Sequence, residues 1–387
     1  MHVLYVSKTI NSSHGGRTHA REFFSALSQV SKVKSADSYY VIESDFGGNS
    51  NDMERPKLWW LPVKVRTFLR MVLVNRKLTR QLILRLAEKP YTLLLVRHET
   101  VRIDFAKIKK RYPDITIAIE LNAMLSDESF DSYLARNIVK RAEYSQLSLA
   151  DNIFPVSSTL AKTILSMGIS PEKIIVNPNG VDVKRFDSDL LGRNAGFREH
   201  YGIPEDRFVI GYVGGMEKYR RLPEFVEIYS RLAQGVLKDK LFLFIVGDGK
   251  DCSAVEAILK QQCADDIYLQ LGWQNHTDVP NIMTTFDLAV MPYTLDYCSP
   301  LKLFEYLAMG LPTIAPDTQS VKDLFVDREH LWLNLKISDD GDHLYQLIQN
   351  IYSDEQARYA VAKRGREQVM NNYTWLANAE RVISQIP

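Results

Sequence analysis

Within two helical turns, Ser299-Pro300-Leu301-Lys302-Leu303-Phe304-Glu305 brings together residue types that can hold an anion and a sugar diol. Ser299 is placed to cap a helix whose first turn opens at Pro300, where a missing N–H costs nothing, and the free N–H groups there favour a phosphate. Lys302 adds a full positive charge beside that anion. Glu305, one turn further on, can accept two hydrogen bonds from a vicinal diol such as a ribose. Gly310 and Pro312 then end the helix, and Thr313-Ile314-Ala315 opens a buried strand. A plain surface helix carrying one Lys and one Glu would show the same letters.

The elements that must position these residues alternate strand and helix twice over. Strands are predicted at His2–Val6, Ser38–Val41, Leu93–Val96, Thr116–Glu120, Asn152–Pro155 and Lys173–Asn177, with helices such as Ala20–Val30 and Thr159–Met167 between them. The alternation restarts at Phe208–Gly215 and continues with strands at Leu241–Val246, Ile267–Leu271, Leu288–Met291 and Thr313–Ala315. This is an α/β chain of two Rossmann-like parallel-sheet domains, with small molecules expected in the cleft between their strand ends. The turn chemistry of Pro178-Asn179-Gly180-Val181-Asp182 puts the junction at about residue 185. The domains are therefore 1–185, 186–370 and a final helical segment, 371–387, that returns to the first.

Glycine-bearing loops recur at the strand-to-helix junctions. Gly15-Gly16 follows the first strand, Gly214-Gly215 follows the first strand of the second half, and Gly247-Asp248-Gly249 follows the next. Each lets backbone approach a phosphate closely, although a lone Gly-Gly is usually only a tight turn. Lys218, Arg220 and Arg221 come just after Gly215.

A chain of 387 residues, 45% hydrophobic and 25% charged, can bury two sizeable cores. No apolar run approaches the roughly 18 residues that span a bilayer, and Met1–Ser7 reads as a strand, not a leader. Cys252, Cys263 and Cys298 have neither metal-ligand spacing nor even pairing, which fits a reducing cytoplasm. The net charge of +1 conceals an asymmetry: residues 1–185 hold 28 Lys and Arg against 18 Asp and Glu, or +10, leaving −9 for the remainder. Between Arg55 and Lys89 ten basic residues face one acid, Glu88, interleaved with Trp59, Trp60, Val65, Phe68, Leu69 and further leucines. Basic and apolar residues so mixed suit an anionic membrane surface, which predicts a cytoplasmic protein peripheral to the inner face. An amphipathic helix packing its leucines on its own sheet would read the same way. No nucleic-acid module surrounds the segment, so nucleic acid is not expected as a partner.

Taken together, these blocks resemble the GT-B glycosyltransferases, specifically the retaining family four, also described as glycosyl transferases group 1. The resemblance is carried by Ala150-Asp151, Pro155-Val156-Ser157, Lys173–Asp182 with its Asn-Pro-Asn-Gly-Val-Asp ending, Ile210–Gly215, and Val246-Gly247-Asp248-Gly249. Leu271-Gly272-Trp273, Ser299–Pro312 and Tyr373-Thr374-Trp375, the last opening a crossover helix, complete it. It implies a nucleotide diphosphate sugar as co-substrate and a glycan, lipid-linked or small-molecule hydroxyl as acceptor. Glu305 would bind the ribose. Backbone near Ser299, Pro300, Leu301 and Lys302 would hold the diphosphate together with Arg220, for which Lys218 and Arg221 are close competitors. Gly272-Trp273-Gln274 would meet the base, and Gly16 would approach the donor phosphate.

The chain departs from the family in two places. Gly215 stands where an arginine is usual, and Tyr297 stands where the first of two glutamates is expected, leaving adjacent Asp296 as the candidate replacement. Arg97-His98 and Glu120-Leu121-Asn122 end consecutive strands and resemble the family's acceptor-side residues, which makes His98 and Glu120, with Arg220, Lys218 and Lys302, the catalytic candidates; the alternatives are a satisfied strand-end histidine and an Arg97–Glu120 ion pair. No cofactor is implied. No metal is either, because Asp340-Gly341-Asp342 reads as a cap or turn. A nucleotide-sugar epimerase and a non-catalytic nucleotide- or glycan-binding homologue share the architecture. Binding to anionic vesicles is expected to fall with salt and on replacing Trp59, Trp60, Lys64 and Arg66; equal cosedimentation with neutral vesicles would remove the membrane reading.

Overall fold

The computed structural model describes residues 1–10, 16–39, 78–99, 103–128, 133–191, 196–334 and 341–387; Gly15, residues 55–77 of the basic segment and Asp340 lie outside them. Two compact units are present, Met1–Pro178 with Asn378–Pro387, and Asn179–Ala377.

In the first unit, β1 (His2–Val6), β2 (Ser35–Tyr39), β3 (Leu93–Arg97), β4 (Thr116–Leu121) and β5 (Asn152–Pro155) form a parallel sheet in the order β2-β1-β3-β4-β5. Leu93 to Arg97 are all buried, as a strand covered on both faces requires. β2 begins three residues before the predicted Ser38 because Lys34 N already donates to Met1 O, and its polar run Ser-Ala-Asp-Ser hides an edge strand. The predicted strand at Lys173–Asn177 is absent. Lys173 closes a 3-10 turn, and only Ile174 bridges Ile153 while Ile175 and Asn177 donate to β5. Pro178 has no N–H with which to extend that ladder.

In the second unit, β6 (Phe208–Val213), β7 (Leu241–Val246), β8 (Tyr268–Leu271), β9 (Leu288–Val290), β10 (Thr313–Pro316) and β11 (Trp332–Asn334) form a parallel sheet ordered β11-β10-β9-β6-β7-β8. Successive residues alternate between two cores. Val209, Val213, Phe242, Phe244 and Ala289 enter one, and Ile210, Tyr212, Leu243, Ile245 and Val290 enter the other. The second core is completed by the helix Leu222–Gln234, whose Leu222, Phe225, Val226, Tyr229 and Leu232 repeat at helical spacing. β11, three residues long, is too short to leave a period in the sequence.

The division between units falls at Pro178, earlier than residue 185, because the turn that follows is built into the second unit. Asn179 N donates to Ser299 Oγ at 2.9 Å, and Val181 pairs with Thr374. A Cβ on Gly180 would stand 2.8 Å from the Thr374 carbonyl carbon, so that approach requires glycine. The last helix, Trp375–Ser384, belongs from Asn378 onward to the first unit, where Asn177 Nδ2 donates to Asn378 Oδ1 at 2.8 Å and Arg381 Nη1 donates to Asn177 Oδ1 at 2.8 Å.

The helix Leu301–Ala308 is core and site support together. Leu303 to Ala308 are all buried, and Gly310, at φ 65°, ends it with Leu311 N returning to Tyr306 O at 3.1 Å. Its start differs from the expected cap. Pro300 occupies the cap position, no side chain caps the helix, and the Ser299 hydroxyl is already occupied by Asn179. Tyr306 Oη accepts from Val213 N at 2.7 Å and lies 3.2 Å from Val213 O, fastening the helix to the end of β6. Tyr306→Phe should orphan the Val213 N–H and cost about 1–3 kcal/mol in urea denaturation. Wild-type stability in that variant would refute the fastening.

Candidate active site

Three loops at the carboxyl ends of β6, β7 and β8 are tied by backbone bonds: Gly214 N to Val246 O (3.0 Å), Met216 N to Asp248 O (2.8 Å) and Gly247 N to Leu271 O (3.0 Å). Gly247 has φ 140°, and a Cβ there would lie 1.9 Å from Gly214 O. Gly247, read as a phosphate-approach position, is thus first demanded by loop packing. A Cβ on Gly215 would only touch Asp248 O at 3.9 Å, Gly272 faces open space, and Trp273 is 65% exposed beside half-buried Gln274.

The three basic candidates after Gly215 have different fates. Lys218 is exposed. Arg221 takes φ 53° and turns onto its own helix, with Nε 3.0 Å from Glu224 Oε1. Arg220 is half-buried and reaches the chain beyond β9, donating to Thr294 Oγ1 at 3.0 Å and stacking over Tyr219 at 4.8 Å. Asp296 is exposed and its Oδ1 accepts from Gln319 N at 2.8 Å.

Glu305 is 3% exposed and carries one donor on each oxygen: Lys302 Nζ at 2.5 Å on Oε2 and His276 Nε2 at 3.0 Å on Oε1. Burial alone would raise its carboxyl; the Lys302 ammonium and then His276 outweigh that and bring it down to about 2. Lys302 was expected to meet an anion directly. Here its ammonium also neutralises Glu305. His276, between β8 and the helix Val279–Met283, escaped the sequence analysis because nothing in its local spacing marks it.

In the first unit, Glu120 is buried and ionised: burial raises its carboxyl, but His19, Arg97 and Tyr5 bring it below the usual range. Tyr5 Oη donates to Glu120 Oε2 at 2.9 Å, and His19 Nε2 bonds Oε1. The Arg97–Glu120 separation is 3.8 Å, whereas Arg97 Nε donates to Glu99 Oε1 at 2.8 Å, so Glu99 is the nearer partner. His98 Nε2 lies 3.1 Å from Oε1 of fully buried Glu143, which also accepts from Leu125 N and Ser126 N. That is the satisfied strand-end histidine. Tyr5, His19 and Glu143 were not foreseen, because their partners lie tens of residues away, and neither was Glu99, which besides Arg97 accepts from Ser7 Oγ at 3.2 Å and Thr9 N at 3.1 Å, far earlier in the chain. Arg97 Nη1 and Asn122 Nδ2 are buried with no hydrogen-bond partner. Among the described residues no group of three or more His, Cys, Asp or Glu could hold a metal, and no helix is long and apolar enough to cross a membrane.

The two parallel-sheet units define the GT-B glycosyltransferase fold, shared with solved structures. One, Anabaena Alr3699/HepE in complex with UDP, has TM-score 0.73 and 14% identity with 99% of each chain covered. Another, the lipopolysaccharide outer core galactosyltransferase WaaB in its apo form, has TM-score 0.67 and 17% identity with 100% of this chain and 99% of that one covered. Residues 195–368 match the family Glycosyl transferases group 1. A curated relative from Escherichia coli, UDP-Gal:alpha-D-GlcNAc-diphosphoundecaprenol alpha-1,3-galactosyltransferase, is 25% identical over 225 residues, covering 57% of this chain and 55% of that protein. N-acetyl-alpha-D-glucosaminyl L-malate synthase of Bacillus anthracis is 23% identical over 188 residues, covering 49% and 46%. The chain thus spans about half the length of these curated relatives.

Because folding lowers the Glu305 carboxyl from 4.5 to about 2, its stabilising contribution is complete above its usual value and declines as pH falls toward the folded one. Between about pH 5 and about pH 3, Glu305→Gln should therefore lose less unfolding free energy than wild type. Identical pH slopes in urea denaturation would contradict the ionised pairing.

Proposed function

We propose that the chain transfers a sugar from a nucleoside diphosphate sugar to an acceptor hydroxyl, with retention at the anomeric carbon and without a metal. The observation that carries this reading is Glu305: a buried, ionised carboxylate on a helix whose start no side chain caps. A carboxylate so placed suits the two hydroxyls of a ribose, and uncapped N–H groups one turn earlier suit its diphosphate. The relatives' names support it, since one is a UDP-galactose-dependent transferase and one solved neighbour holds UDP.

Departure of the diphosphate builds negative charge on the leaving oxygen and an oxocarbenium-like centre on the sugar. Arg220, anchored at Thr294, and the helix opening at Leu301 would stabilise that charge without reorganising. The acceptor would attack on the face the diphosphate leaves, its proton passing to a phosphate oxygen, so no protein nucleophile is needed. Arg97 Nη1 and Asn122 Nδ2, buried donors that make no hydrogen bond, are proposed to meet acceptor oxygens. His98 and Glu120 would instead hold the strand ends that carry them.

The test is release of nucleoside diphosphate from UDP-, GDP- and ADP-sugars, with water and with an acceptor panel. Turnover is expected with at least one donor, and Arg220→Ala should lower kcat about 10²–10³-fold, the loss typical of removing a transition-state donor. Retained nucleotide affinity with no turnover on any pair would favour the non-catalytic reading, to which Tyr297 and Gly215 already point.

A further inference from the structure

We propose that His276 is the positioning residue of Glu305, locked as its neutral Nε2–H tautomer by Arg185, and that it aims the carboxylate at the nucleotide ribose. The proposal rests on the reading of Glu305 as a diol ligand. Arg185 Nη1 stands 2.8 Å from His276 Nδ1. A guanidinium has only donors and does not deprotonate, so Nδ1 must accept and the ring proton must reside on Nε2. Nε2 is 3.0 Å from Glu305 Oε1 and therefore donates to it. Arg185 is itself backed by Asp182 at 3.6 Å, and the imidazole packs on Phe186 at 5.5 Å between ring centroids.

A carboxylate with one donor on each oxygen has its plane set and keeps a further lone pair on both oxygens. Two adjacent hydroxyls can then be received together. Lys302 cannot set that plane alone, because it sits on the same helix as Glu305 and ends in a freely rotating ammonium. His276 comes from a different element, the loop that opens with Gly272-Trp273-Gln274. It thereby couples the diol-binding carboxylate to the loop read as meeting the base.

Isothermal titration of the full chain, using whichever of UDP, GDP and ADP wild type binds, separates the outcomes when each is paired with its 2′,3′-dideoxy analogue. His276→Ala should weaken binding of the ribonucleotide about tenfold, one charge-assisted hydrogen bond, and leave the dideoxy analogue unchanged. His276→Gln, whose amide can replace the Nε2 donor, should restore most of the loss. In nitrogen-15 spectra of histidine-labelled protein, His276 should show the Nε2–H tautomer, and Arg185→Met should mix the tautomers. Equal losses for both nucleotides, or an Nδ1–H ring in the wild type, would overturn the assignment. Unchanged ribonucleotide affinity in Glu305→Ala, or no binding of any nucleotide by wild type, would instead remove the underlying reading of Glu305.

Discussion

Glu305 sits 3% exposed among Phe304, Tyr306 and Leu307, in surroundings that oppose a negative charge. Burying an ionised carboxylate costs several kcal/mol unless donors surround it, and truncating one partner of such a group is usually more costly than the pair is stabilising. Lys302 supplies a charge from the same helix, and His276 supplies a directed N–H from a separate loop. Much of the second unit's geometry follows from keeping those two donors in place. Tyr306 holds the helix to β6, and the turn from Asn179 to Arg185 holds both Ser299 and His276.

The glycines illustrate how closely the strand-end loops pack on one another. Gly247 is compelled by the Gly214 carbonyl and Gly249 by Met216, whose carbonyl carbon would lie 2.7 Å from an added Cβ. The N–H groups of these loops are largely engaged within them, Gly247 N on Leu271 O at 3.0 Å and Gly249 N on Asp248 Oδ1 at 2.7 Å.

The first unit spends its buried charges differently. Glu120 and Glu143 are each surrounded by donors from remote elements, and each ties the end of one strand to a helix: Glu120 to His19, Glu143 to His98 and the start of Leu125–Glu128. Such networks are rigid when every member is satisfied. Arg97 Nη1 and Asn122 Nδ2 are left without a hydrogen bond by that arrangement.

Period and turn chemistry were enough to reveal the two alternating α/β halves, nine of the strands among the described residues to within two residues, and the helix carrying Lys302 and Glu305. These are local properties: a two-sided buried strand is an apolar run, and a helix end is a glycine followed by proline. The edge strands escaped or shifted because β2 is polar and β11 is three residues long. Only the tertiary structure decided which basic residue after Gly215 is held toward β9, that Ser299 serves Asn179 and not its own helix, and that His276 faces Glu305. Those pairs are separated by 74, 120 and 29 residues, so no spacing in the chain encodes them. The partner of a buried polar atom is chosen by whichever donor the fold delivers within three ångströms, and that is settled when the sheets pack.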